Sequence, residues 1–182
     1  MRLIGICGKK RHGKDTVAQI LKKNYGYGIH HFADPLKEAC SLIFGFTDEQ
    51  LNGADKEAID GFWKTTPRNI MQVVGTELFR DELPKYVDGI GNDIWLKSFI
   101  KRYDDTKRVV IADVRFENEY NWIKSAGGIV IKVQRVSLND KDMHASENTS
   151  LPADFVITND GTIGDLEVEV ERIMAHYSSY TI

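Results

Sequence analysis

Five short apolar runs punctuate the chain, and between them apolar residues recur at every third or fourth position. The runs predict strands at Leu3–Cys7, Ile29–Phe32, Val109–Asp113, Ile129–Gln134 and Asp154–Ile157. Several are continuously apolar, as parallel strands covered on both faces require. The intervening periodicity predicts helices over Lys14–Lys23, Pro35–Phe44, Thr66–Leu78, Ile94–Tyr103, Glu117–Ala126 and Ile163–His176. Strand and helix alternate along the whole length, which implies a layered α/β sheet. Two stretches break the pattern. Between Gly45 and Thr65 the chain is polar and irregular; between Val136 and Pro152 it is polar again, with acids, Lys, His and Ser.

Composition narrows the picture. With 182 residues the chain has enough material for a single domain with a substantial core. No apolar run approaches the roughly 20 residues of a membrane span, and because a strand pattern begins at once no signal peptide is expected. Cys7 and Cys40 suggest neither a disulfide framework nor a metal cluster, and buried free thiols fit a reducing cytoplasm. A net charge of −3 argues against bulk nucleic-acid binding. Any basic residues that matter must be concentrated locally. The sequence leaves oligomeric state open, although apolar patches on the helices could support a homodimer.

The chemistry starts at Gly8-Lys9-Lys10-Arg11-His12-Gly13-Lys14-Asp15-Thr16, which fits G-x-x-x-x-G-K with Asp15 where Ser or Thr is usual. An apolar strand precedes it and a helical pattern follows, the context in which this loop cradles phosphates. Gly8 and Gly13 let the backbone curl so that successive N–H groups point inward. The helix N-terminus adds partial positive charge, and Lys14 adds a full one. Asp113 ends an apolar strand, and ligands of parallel sheets gather at such carboxyl ends. It is a candidate Mg²⁺ ligand; the alternative is a cap for the next helix. Asp15 offers a second carboxylate to the metal, or is only a favourable acid in the helix's first turn, and Thr16 offers a hydroxyl; the sequence does not choose between them.

Further candidates lie along the chain. Asp34-Pro35-Leu36-Lys37 reads as a helix start with Asp34 as cap, yet Asp34 also lies at a strand's carboxyl end and Lys37 could reach a phosphate. Arg68, Gln72 and Arg80 fall roughly on one side of the helix after Pro67, able to bind a phosphate and a base edge or to form a solvated face. Arg115 follows Asp113 at the active edge. Phe116 could stack on a base, although a core position is commoner. Glu117 and Glu119 suit the helix N-terminus. Arg135 opens the second polar segment, a candidate mobile lid or equally a solvated connection, which also holds His144 and Glu147. Thr158-Asn159-Asp160-Gly161-Thr162 reads as a tight turn against which an adenine could rest.

Taken in order, Gly8–Thr16, Phe32-Ala33-Asp34-Pro35-Leu36-Lys37, Thr66-Pro67-Arg68 with Gln72 and Gly75-Thr76-Glu77, Asp113-Val114-Arg115-Phe116-Glu117-Asn118-Glu119, His144-Ala145-Ser146-Glu147 and Thr158-Asn159-Asp160-Gly161 resemble the deoxynucleoside monophosphate kinases of bacteriophage type. These belong to the P-loop nucleoside monophosphate kinase superfamily. The resemblance implies a three-layer P-loop fold on a five-stranded parallel sheet, with an NMP-binding region near 34–85 and a lid near 136–152. It implies transfer of the ATP γ-phosphoryl group to a deoxynucleoside monophosphate with Mg²⁺, in the cytoplasm of a host if the source is viral. Gly8, Lys10, His12, Gly13, Lys14, Asp15, Thr16 and Asn159 would then serve ATP. Asp34, Lys37, Arg68, Gln72, Arg80, Arg115, Phe116, Glu119, His144 and Glu147 would serve the acceptor. Lys14, Arg115 and Arg135 would be catalytic, and Asp15 and Asp113 would hold the metal. Two rivals share the phosphate loop: a kinase of another phosphorylated acceptor, such as phosphomevalonate or dephospho-coenzyme A, and a non-catalytic nucleotide-binding protein. The bases accepted and the discrimination against ribose are not legible.

Overall fold

The computed structural model describes residues 2–136 and 151–178. The expected lid, including His144 and Glu147, lies outside the described residues apart from its ends. The chain divides into two compact units, Met1–His31 with Asp104–Ile182, and Phe32–Tyr103.

The first unit is built on five parallel strands: β1 (Leu3–Cys7), β2 (Gly28–His30), β3 (Val109–Val114), β4 (Ile129–Gln134) and β5 (Phe155–Thr158). They lie in the order β2-β3-β1-β4-β5, with β1 central. This matches the expected sheet. Ile4, Ile6, Val110, Ile131, Val133 and Ile157 bury completely against α1 (Lys14–Tyr25) and α7 (Ile163–Ser178), joined by Val17, Leu21, Val170 and Ile173. Each such side chain contributes about 1.5–3 kcal/mol by leaving water. α6 (Glu117–Ser125) covers the other face through the fully buried Ile123. β2 stops at His30, two residues before the expected end at Phe32, and β3 runs one residue past Asp113. Pairing slips from Gly5↔Ile111 to Cys7↔Val114, so β3 carries one residue more than β1 there. A bulge of this kind re-aims a side chain at a strand's end, here beside Asp113.

The second unit is helical. α2 (Asp34–Phe44) starts with Asp34 already inside the helix, and Ala33, not Asp34, holds the cap position. The irregular stretch expected between Gly45 and Thr65 contains a short helix, α3 (Asp48–Asn52). Its cap is reciprocal: Thr47 Oγ1 accepts from Gln50 N at 3.3 Å, and Gln50 Oε1 accepts from Thr47 N at 3.0 Å. The helix expected over Thr66–Leu78 begins as α4 (Pro67–Gln72), capped by Thr66, and then widens to π-helical bonding over Val73–Glu82. Cys40, Phe46, Leu51, Met71 and Val74 form the core of this unit. α5 (Ile94–Arg102) completes it, with Trp95 Nε1 donating to Gly75 O at 2.9 Å. Among the described residues no helix is long and apolar enough to cross a membrane.

Candidate functional site

In the first unit the site grows from the turn between β1 and α1. Gly8 sits at φ +139° and Gly13 at φ +99°, conformations that L side chains rarely adopt. Space forbids side chains there as well. A Cβ on Gly8 would strike the Val133 carbonyl oxygen, and one on Gly13 would strike the Asn159 amide nitrogen. Arg11 also takes a positive φ, +66°. Gly13 caps α1 without any side-chain hydrogen bond, so the first-turn N–H groups and the helix dipole are presented at the loop. Such a terminus is a ready anion site. Lys14 arches back over the loop and donates from Nζ to Lys9 O at 2.8 Å. A phosphate oxygen would make a stronger, charge-assisted partner than that carbonyl.

Against this loop stand the ends of β4 and β5. His12 is buried, 4% exposed, and its Nδ1 accepts from Arg135 N at 3.2 Å. Asn159, 7% exposed, donates from Nδ2 to His12 O at 2.9 Å. Arg135 Nε donates to Asn159 O at 2.9 Å. The structure thus brings together His12, Arg135 and Asn159, which the sequence offered as three separate candidates. Asp15 is exposed in the first turn of α1, Thr16 is half-buried, and Asp113 is half-buried at the bulged end of β3. These are hard oxygen donors. No group of three or more His, Cys, Asp or Glu among the described residues would cage a metal unaided. Carboxylate and hydroxyl oxygens of this kind are donors that Mg²⁺ accepts. Burial pushes the Cys7 thiol, at the end of β1, above its usual range against the opposing influence of Lys132 and Lys14.

Arg115 and Phe116 are exposed just after β3, so Phe116 is not the core aromatic its type would favour. Glu119 is buried, and its Oε2 accepts from Arg115 N at 2.8 Å and Phe116 N at 3.1 Å. Its carboxylate therefore shapes the turn that carries Arg115. Sequence reasoning gave it a helix-terminus role but did not foresee this link.

In the second unit, Lys37 Nζ donates to Asn52 Oδ1 at 2.7 Å and Arg68 pairs with Glu57. Gln72 is exposed and Arg80 half-buried. Arg68 and Gln72 lie on α4, but Arg80 lies in the π-helical stretch, so the 3.6-residue period that aligned the three stops at Val73. π-helical segments often mark functional sites.

A glycine loop that opens a helix beneath the carboxyl edge of a parallel sheet defines the P-loop kinase architecture. Shikimate kinase from Aquifex aeolicus shares this fold, with a TM-score of 0.51 over 97% of this chain and 98% of that one at 14% identity. The family model for deoxynucleotide monophosphate kinase matches residues 2–62 and 54–170, and the chain belongs to that family. A mimivirus protein (Acanthamoeba polyphaga mimivirus) named as such a kinase is 38% identical, across 93% of this chain and 94% of its own. The deoxynucleotide monophosphate kinase of Enterobacteria phage T4 is 24% identical, across 96% and 99%.

Proposed function

We propose that this chain transfers the γ-phosphoryl group of Mg·ATP to a deoxynucleoside 5′-monophosphate, giving ADP and the deoxynucleoside diphosphate. The observation that carries the reading is the phosphate loop. Its two glycines are held where no side chain fits, and Lys14 and the α1 terminus converge on it. Family membership supports the acceptor.

The reaction asks for alignment and charge cancellation more than covalent help. An oxygen of the acceptor phosphate attacks the γ-phosphorus, and the bond from that phosphorus to the β–γ bridging oxygen breaks. The acceptor oxygen is already ionised at neutral pH, so no strong general base is needed. The loop N–H groups and Lys14 hold the triphosphate, and Lys14 exchanges its Lys9 carbonyl for a phosphate oxygen. Asp15, Thr16 and Asp113 are the oxygen donors from which an Mg²⁺ arriving with ATP would take its protein ligands, and the ion would offset phosphate charge. Lys10 adds positive charge at the loop. Arg115 and Arg135 neutralise charge on the moving phosphoryl group. Asp34, Lys37, Arg68, Gln72, Arg80, Arg115 and Phe116 serve the acceptor, Gln72 on the base edge. Catalysis would take place in the cytoplasm, that of a host if the source is viral.

The test is incubation with Mg·ATP and each dNMP and NMP in turn, scoring ADP and diphosphate. At least one dNMP should be turned over. Lys14→Ala should fold normally and lose about a hundredfold or more in kcat/KM. A fully active Lys14→Ala, or turnover of no nucleotide acceptor at all, would refute the reading.

A further inference from the structure

Asn159 lies 147 positions along the chain from the carbonyl its side chain holds, yet it is the residue against which Gly13 is packed bare. Its backbone is committed too: its N–H donates to Gln134 O at 2.7 Å, and its carbonyl accepts from Arg135 Nε. The ends of β4 and β5 are zipped further by Gln134 Nε2 to Thr158 Oγ1 and by Val136 N to Asp160 Oδ2, both at 3.2 Å. His12 closes the circuit. A backbone N–H pointing at Nδ1 requires that nitrogen to carry no proton, so the neutral imidazole holds its proton on Nε2.

We infer that Asn159 and His12 are positioning residues: together with Arg135 they form a latch that sets the shape of the phosphate loop and ties it to the base of the polar segment after β4. The inference rests on the reading above that the loop holds the ATP triphosphate. Three hydrogen bonds link three stretches that are remote in sequence. His12 O and His12 Nδ1 are both occupied, so the peptide and the ring of the loop's central residue are fixed at once. The His12–Gly13 peptide at the mouth of α1 then has its N–H pointed by a remote neighbour instead of by its own sequence. Arg135 is restrained at Nε by the Asn159 carbonyl. An Asn159 buried in this way serves ATP through the loop, not as a platform for the base.

The consequence is specific to the triphosphate. Loosening the latch costs loop preorganisation, which weakens ATP but not the acceptor. Asn159→Leu keeps the shape and adds no charge but removes the donor to His12 O. His12→Asn places an acceptor near the position of Nδ1, while His12→Gln places it near Nε2. Binding of a non-hydrolysable ATP analogue, of inorganic tripolyphosphate and of the accepted dNMP would be measured for each by calorimetry, alongside Tm. Asn159→Leu and His12→Ala should each weaken both triphosphates about tenfold, the loss of one well-made hydrogen bond. The dNMP affinity should stay within about twofold, and His12→Asn, unlike His12→Gln, should recover most of the His12→Ala loss. If Asn159→Leu does not fold, the His12 series decides alone. Wild-type affinity in Asn159→Leu, equal losses for triphosphate and dNMP, or equal behaviour of the Asn and Gln variants would overturn the latch and leave the kinase reading intact. A wild-type protein that binds neither triphosphate would overturn both.

Discussion

Replacing Glu119 by alanine tests whether one buried carboxylate holds the turn between β3 and α6. A single oxygen, Oε2, accepts from the amides of both Arg115 and Phe116, at 2.8 and 3.1 Å. The side chain is 3% exposed and lies in the first turn of α6, where negative charge is favoured. Hydrogen bonds to a charged group contribute about 1.5–3 kcal/mol each. Arg115 and Phe116 are themselves exposed, so water can reach their amides after truncation and the lower end applies. The expected loss for Glu119→Ala is about 3 kcal/mol, or about 6–12 °C in Tm for a chain of this size. Glu119→Gln keeps an oxygen for both amides but loses the charge, and should cost about half as much. Urea titration followed by circular dichroism gives the stabilities. Steady-state kinetics give a second readout: the acceptor KM should rise in Glu119→Ala while the ATP KM holds, because Arg115 sits on the turn. A stability loss below about 1 kcal/mol, or Gln no better than Ala, would refute the reasoning.

Two further tests are direct. Gly26 ends α1 at φ +72° with nothing within 4 Å of an added Cβ, whereas Gly8 at φ +139° faces the Val133 carbonyl. Gly26→Ala should therefore cost only the left-handed strain, about 1–2 kcal/mol in urea titration, with ATP affinity unchanged. Gly8→Ala should cost more and abolish ATP binding, and equal effects would contradict the proposed crowding. Cys7 and Cys40 are both buried, and burial raises both thiols above their usual range. A thiol reagent at pH 8 should label neither until denaturant is added, because the thiolate is the nucleophile; rapid labelling of the native protein would show that one of them is accessible.

Local signals carried most of what the chain declares. Continuous apolar runs marked the strands because a parallel sheet is covered on both faces, and the glycine loop announced itself because only glycine tolerates the dihedral angles it needs. Proline at Pro35 and Pro67 marked two helix starts within a residue. The short helix Asp48–Asn52 was missed although Thr47 and Gln50 stand at capping-box spacing, a signal that polar composition around it hid. The widening at Val73 had no such signal. At Gly75 a Cβ would press on Leu36, and the carbonyl accepts from Trp95, neighbours that no local window contains.

The phosphate loop, the strand order's ingredients and the candidate cations were thus written in the order of residues, since each depends on dihedral preference, hydrophobic period or charge within a few positions. What folding alone decided is how remote parts meet: Asn159 beneath Gly13, His12 against Arg135, Glu119 under the Arg115 turn, and a bulge beside Asp113. Hydrogen bonds reach only about 3 Å, and the partners in these contacts are set by which strand ends lie side by side, a property of the whole sheet that no stretch of sequence contains.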